Sequence, residues 1–337
     1  MKKILAIAAS WTTLLLACSV ASAQQFGPWS APVNLGQTVN TAFDDQHPTL
    51  SKDGLSLIFS STRPGGLGGI DLWVSQRDSL DSPWQKPQNL TMLNSPSDDH
   101  APSITTDGHW LFFFSTRPGG CNTNGREELW AAHRQNKRDD FGWEPPINLG
   151  CTLNIPGADE GAPNFWEDDT TGILYLYFAR NLTPANASGF DIYVSTCTSD
   201  LDSCNRQQLW SPGVPVPELN SPLRDTRTAI SRRDGLEMII SSTRAGTVGG
   251  HDLWVSTRAF VQDPWSIPIN LNQDNLNDCS QMGIDPGSCP IVNTTANESA
   301  PALSWDGQTM IFYSNRPGGF GGNDLYMSTR QKLTSQQ

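Results

Sequence analysis

The chain has 337 residues, with 22 Lys and Arg against 34 Asp and Glu, a formal net charge of −12 at neutral pH. A surface that acidic repels a phosphate backbone, which excludes nucleic acid as a partner and leaves solubility or cation binding as the meaning of the charge. Beyond the first residues there is no long apolar run, so no membrane span is expected, and the length is ample for one large domain.

Residues 1–23 read as a signal peptide. Lys2 and Lys3 open it, an apolar run follows from Ile4 to Ala17, and small residues at Ala21 and Ala23 suit cleavage after Ala23. "LLAC", ending at Cys18, offers a lipoprotein box as the alternative, with the bulky Leu16 where a small residue is usual. Either way the chain is expected to reach the periplasm or the medium, with residues 24–337 forming a single domain. Six cysteines follow Cys18, and an even count in an exported chain suggests disulfides. Cys197 with Cys204 and Cys279 with Cys289 can each close a short loop, which leaves Cys121 with Cys151. A zinc site is the alternative, but no close Cys-x-x-Cys or His pairing supports it.

From "WSAPVNLG" at Trp29 onward, one sentence returns five times: a Trp, "P-x-N-L", an acid three residues before a Pro, an Asp-Gly turn, an apolar run, "S-x-R-P-G-G" and "D-L-W-x-S". The Trp positions are Trp29, Trp84, Trp143, Trp210 and Trp265, and the Arg positions are Arg63, Arg117, Arg180, Arg244 and Arg316. Each copy holds four strand-sized pieces, as in "HPTLS", "LSLIFSST", "DLWVSQR" and "WQKPQNL", separated by Gly and Pro turns. No helical period of useful length appears. A four-stranded sheet buries neither face alone, so the expected architecture is all-β: a five-bladed β-propeller of four-stranded antiparallel blades. The chain opens with the fourth piece and ends with the third, "DLYMSTR", so the N-terminal strand should complete the last blade and close the ring.

"HPTLSKDGLSLIFSSTRPGGLGGIDLWVSQR" resembles the TolB-type, WD-repeat-like (PD-repeat) β-propeller family of bacterial envelope proteins. The resemblance implies a binding or scaffold module without catalysis, whose partner is an envelope protein or an oligosaccharide and which acts as a monomer. Some other five-bladed propellers are glycosidases, which sustains a carbohydrate-active enzyme as the alternative.

The candidate ligand-binding residues lie at the start of each copy. The recurring acids Asp45, Asp99, Glu160, Asp225 and Glu298 are expected to ring one mouth of the central channel, either as blade parts or as oxygen ligands for a cation such as calcium. No cofactor is otherwise predicted, no metal site is assigned, and no catalytic residue is identified. His47, His100 and Arg227 break the symmetry of this ring. In the glycosidase alternative, mouth acids such as Asp45, Asp99 or Glu160 would act. Each recurring Arg is expected to pair with the Asp of "D-L-W" (Asp71, Asp191, Asp252, Asp324), with Glu127 or Glu128 at that place in the second copy, pinning the Pro-Gly-Gly hairpin. The glycines read as turn residues, since "GGLGG" lacks the strand-to-helix context of a phosphate loop, and no Gly-x-Ser-x-Gly marks a serine nucleophile. Trp110 and Trp166 leave the repeat and would serve as sugar platforms if exposed. The unique loops "NLTPANASG" and "NQDNLNDCSQMGIDPGSCPIVNTTAN" are the expected places for partner contacts.

Overall fold

The computed structural model describes residues 26–122, 125–183 and 189–333. The leader expected over residues 1–23, and Cys18 with it, lies outside the described residues. Five four-stranded antiparallel sheets follow one another in chain order, and their inner strands are Asp45–Leu50, Asp99–Ile104, Asp159–Asp168, Asp225–Ile230 and Glu298–Leu303. We number the blades 1 to 5 in that order. The fold expected from the repeat is the fold observed.

Stacking of the sheets explains the composition of the second strands. In blade 1 (Ser56–Ser61) Leu57, Ile58 and Phe59 are all buried, and in blade 2 (Trp110–Ser115) so are Leu111, Phe112 and Phe113. A sheet covered on both faces reads as a continuous apolar run rather than as strict alternation. Neighbouring blades share one core: Ile58, Leu72 and Val74 of blade 1 pack with Leu111, Phe113 and Trp130 of blade 2.

The ring closes through the N-terminal strand. Val33–Asn34 forms the outer strand of blade 5, with Val33 opposite Met327 and Asn34 opposite Tyr326. The Ser30 amide donates to the Thr329 carbonyl at 2.7 Å, and the Ser328 hydroxyl donates to the Ser30 carbonyl at 2.7 Å. The buried Trp29 is clasped by Asn275, which accepts from its amide at 2.8 Å and donates to its carbonyl at 3.0 Å.

Two features differ from the sequence expectation. Helices α1 (Leu201–Arg206) and α2 (Leu271–Gln281) interrupt the strands, each started by a side-chain cap, Asp200 on the Ser203 amide and Asn270 on the Asn272 amide. They are too short for a periodic signal, and tertiary ties hold them: Cys197–Cys204 anchors α1 and Cys279–Cys289 anchors α2. Cys121–Cys151 is the third bridge, so all three pairings read from the sequence are present. Among the described residues no helix is long and apolar enough to cross a membrane.

The Pro-Gly-Gly hairpin is also pinned differently. Its fastener is the Asp alone: Asp71 accepts from the Leu67 amide at 2.7 Å, Asp252 from the Val248 amide at 2.7 Å and Asp324 from the Phe320 amide at 2.5 Å. In blade 2 Glu128 takes this role, accepting from the Cys121 amide at 3.0 Å. Two glycines of "GGLGG" are there for close approach. A Cβ on Gly66 would lie 1.6 Å from Asp71 Oδ2, and one on Gly68 would lie 2.1 Å from the Ser97 carbonyl of the next blade.

Removing residues 26–35 strips Trp29 from the core and leaves the third strand of blade 5 as a bare edge. Loss of one buried Trp alone costs about 3–5 kcal/mol. Urea denaturation of the shortened chain is therefore expected to show a clearly lower midpoint, and an unchanged midpoint would contradict the closure described.

Candidate functional site

The five recurring acids do not line a channel. Asp45, Asp99, Glu160, Asp225 and Glu298 are each 0% exposed, and each is ion-paired with the recurring arginine of its own blade, Arg63, Arg117, Arg180, Arg244 and Arg316. Blade 4 shows the full set of contacts. Arg244 donates to Asp225 at 2.7 Å, to the Ser242 hydroxyl at 2.9 Å and to the Leu219 carbonyl at 2.5 Å, while Asp225 also accepts from the Ser242 hydroxyl and the Ser221 amide. These carboxylates face into the blades, so neither a cation nor a sugar has access to them. Glu160 differs in one respect: its Oε2 is buried without a partner, and burial pushes its carboxyl up to about 7 against the pull of Arg180. Among the described residues no group of three or more His, Cys, Asp or Glu is arranged to hold a metal ion.

What the acids position is the next step of the strand. The inner strands all slip register just after the acid, and His47, Ala101, Ala162 and Ala300 adopt left-handed φ values of 50 to 54° there. These bulges bring one short segment of every blade to the ring axis. Around the axis they leave a cavity of about 140 Å³, lined by His47 and His100, by Gly161, Thr226 and Ser299, and by Tyr313, Phe114 and Ala179 of the second strands. The His47 and His100 rings meet edge to face at 4.1 Å. Arg224 completes the wall with Glu127 and His251, each just before its third strand, and with Phe190 at the start of its own.

Two arginines of blade 4 fill the axis beneath. Arg227 reaches across the ring, donating to the Ala101 carbonyl at 3.0 Å and the Pro102 carbonyl at 2.6 Å. Arg232 does the same toward blade 1, donating to the Leu50 carbonyl at 3.0 Å and the Thr49 hydroxyl at 3.1 Å. The two arginines thus tie blade 4 to blades 1 and 2 across the ring. Of the residues singled out in the sequence, His47 and His100 line the cavity, and Arg227 lies near both imidazoles without lining it.

Burial dominates the electrostatics. Loss of water pushes the Glu127 carboxyl up to about 7; the negative charges of Asp159 and Asp98 add to this and Arg224 opposes it. The imidazoles move the other way: His100 is lowered to about 3 by burial and by Arg227, and His47 is held well below its usual range by burial, His100 and Arg227. Arg227 and Arg232 are lowered by burial to about 9 and about 10, so both keep their charge at neutral pH. The arrangement offers a carboxyl able to give or take a proton near neutrality, beside neutral imidazoles and over fixed positive charge.

Glu127 was overlooked in the sequence because the doublet Glu127-Glu128 offered two candidates for one hairpin role. The signal lay in the position before "D-L-W", which reads Ile70, Glu127, Phe190, His251 and Asn323 while its surroundings repeat. Trp110 and Trp166, at 3% and 2% exposure, are core residues and form no sugar platform.

No family model and no curated protein sequence matches the chain. Solved structures of similar fold do. The catalytic domain of a GH62 α-L-arabinofuranosidase from Coprinopsis cinerea superposes with a TM-score of 0.54 at 12% identity, covering 91% of this chain and 98% of the other. An α-L-arabinofuranosidase from Lactobacillus brevis gives 0.54 at 13% identity over 87% and 92%, and a thermostable family-43 glycoside hydrolase gives 0.54 at 13% over 89% and 93%. Two expectations are corrected by these findings. The TolB-type resemblance is not upheld: the repeat's turn and strand residues are parts of any such blade, and the similar structures named are five-bladed glycoside hydrolases. The non-catalytic binding module inferred with it falls on the same comparison.

A carboxyl that holds its proton more tightly folded than unfolded stabilises the fold below its unfolded pKa and loses that contribution as pH rises through its folded value. For Glu127 the window runs from its ordinary 4.5 to about 7. Glu127→Gln is therefore expected to unfold at a higher temperature than the wild type at pH 8, by a stability difference of roughly 3 kcal/mol. The gap should close at pH 4, and an identical gap at both pH values would refute the assignment.

Proposed function

We propose that the chain is a carbohydrate-active enzyme of the glycoside hydrolase type, working at the axial cavity with Glu127 as proton donor. The observation that carries the reading is the Glu127 carboxyl, raised to about 7 in the wall of the axial cavity. Cleavage of a glycosidic bond needs one protonated acid at the leaving oxygen and one ionised carboxylate across the sugar. Asp98 and Asp159, whose negative charges help keep Glu127 protonated, are the candidates for the second role. Asp159 accepts from the Glu127 amide at 3.4 Å and Asp98 from the Ile70 amide at 3.1 Å, so both stand at the same rim. In the reaction Glu127 gives its proton to the leaving oxygen as the bond from the anomeric carbon breaks, and a water adds to that carbon, its proton passing to the partner carboxylate.

The size of the cavity sets what it accepts. Sites for drug-sized ligands begin at about 300 Å³. A cavity of about 140 Å³ takes a single terminal sugar unit, with the rest of an oligosaccharide outside. The α-L-arabinofuranosidases of similar fold support a glycan as the substrate class. Three disulfides are consistent with an oxidising compartment, and we place the mature chain, residues 24–337, in the periplasm or outside the cell as a monomer.

The test is turnover. The protein is incubated with chromogenic aryl glycosides, arabinofuranosides and xylosides among them, and with plant and envelope oligosaccharides, and products are read by mass spectrometry. Glu127→Gln is expected to lower kcat by about 10²–10⁴-fold. Because the acid must be protonated, kcat should fall as pH rises through about 7. Intact sugars throughout, or a Glu127→Gln protein as active as the wild type, would sink the reading.

A further inference from the structure

A charge inside a protein is normally matched by a charge of opposite sign. Arg227 and Arg232 break that rule. Among the described residues neither forms an ion pair, and the partners of their N–H groups are neutral carbonyls and one threonine hydroxyl. Arg227 Nε is buried with no partner. Arg227 is close enough to the cavity to lower both of its imidazoles, His47 and His100, and Arg224 stands in the cavity wall, its guanidinium 4.7 Å from the Phe190 ring. Within the cavity His47 Nδ1 and His100 Nε2 are also buried without hydrogen-bond partners. The carboxyl inside, Glu127, carries only part of a negative charge at neutral pH. Asp98 and Asp159 at the rim are engaged by the amides before the third strands. In a chain of net charge −12, this cavity is thus lined by one arginine and has a second, Arg227, close behind its imidazoles.

We infer that the cavity binds an anionic sugar, a uronic acid whose carboxylate enters beside Arg224 and the His47–His100 pair, above Arg227. The sugar part of this inference rests on the glycan-acting reading above; the anionic part rests on the unmatched arginines. A planar carboxylate presents two oxygens at the spacing of a guanidinium edge, and the imidazole nitrogens supply further donors. The ligand provides the counter-charge that the fold omits. Thr226, Ser299 and Tyr313 line the same cavity, so polar side chains stand where a sugar ring would lie.

Calorimetric titration of the wild-type and Glu127→Gln chains tests this, with glucuronate, galacturonate, their neutral amides, xylose and arabinose as ligands. The uronates are expected to bind at least about tenfold more tightly than their amides, a difference of 1.4 kcal/mol. Arg224→Gln should remove that preference, and so should Arg227→Met, which exchanges a buried charge for an apolar chain of similar length. Equal affinity for acid and amide, no detectable uronate binding, or a preference that survives both substitutions would overturn the inference. The two readings separate cleanly. Uronate preference without turnover of any glycoside removes the hydrolase and leaves the anion site; turnover of neutral glycosides without uronate preference removes the anion site and leaves the hydrolase.

Discussion

Each blade is held by one guanidinium that no solvent reaches freely. It arrives from the end of the second strand, meets the carboxylate that opens the inner strand, and donates as well to the carbonyl of the loop before that strand, Leu93 in blade 2 and Val292 in blade 5. In blades 1, 4 and 5 a serine hydroxyl from the second strand joins the carboxylate and the arginine in the same contact, as Ser314 does between Glu298 and Arg316. Taking two charges out of water is costly, and the pair is tolerable only because nearly every lone pair and N–H finds a partner. Removing one member of such a pair strands the other and costs about 3–5 kcal/mol. The repetition of Arg and acid through the chain follows from this constraint.

The same constraint clears the stage for chemistry. Once the five symmetric carboxylates are bound to arginines, what faces the axis is whatever each blade places one or two residues later, and there the copies differ. Blades 1 and 2 offer His47 and His100, blade 3 offers Gly161 and Ala162, and blade 4 offers Thr226 with Arg227 beneath. Blade 4 also departs in its backbone: it has Thr228 where the other copies have Pro, and Arg227 is not among the left-handed residues. A ring of near-identical units thereby acquires an asymmetric cavity with one carboxyl, Glu127, in its wall.

Much of the architecture was legible because it is local or repeated. Blade number, strand pieces, the strand that closes the ring and all three disulfides followed from period, turn residues and cysteine spacing. The direction of side chains was not legible. Asp45 and His47 are two residues apart, yet the first turns into the blade and the second lines the cavity, because the strand slips register between Gln46 and Thr49. A bulge leaves almost no trace in one sequence, so acids that recur looked more like a site than did Glu127, which occurs once. Helix α2 was missed for a related reason: an Asn cap and a disulfide hold it, and neither produces a hydrophobic period.

The amino-acid sequence by itself determined the number of blades, their strand order and the closure of the ring, since each copy must bury both faces of a sheet that cannot bury either alone. It also determined which positions repeat as fasteners. Only the tertiary structure decided which of the charged residues are partnered, because pairing depends on where bulges and crossings bring groups that lie far apart in the chain. Arg227 illustrates this: it meets the carbonyl of Ala101, 126 residues away, and so comes to stand behind the imidazoles of blades 1 and 2 that it helps to lower.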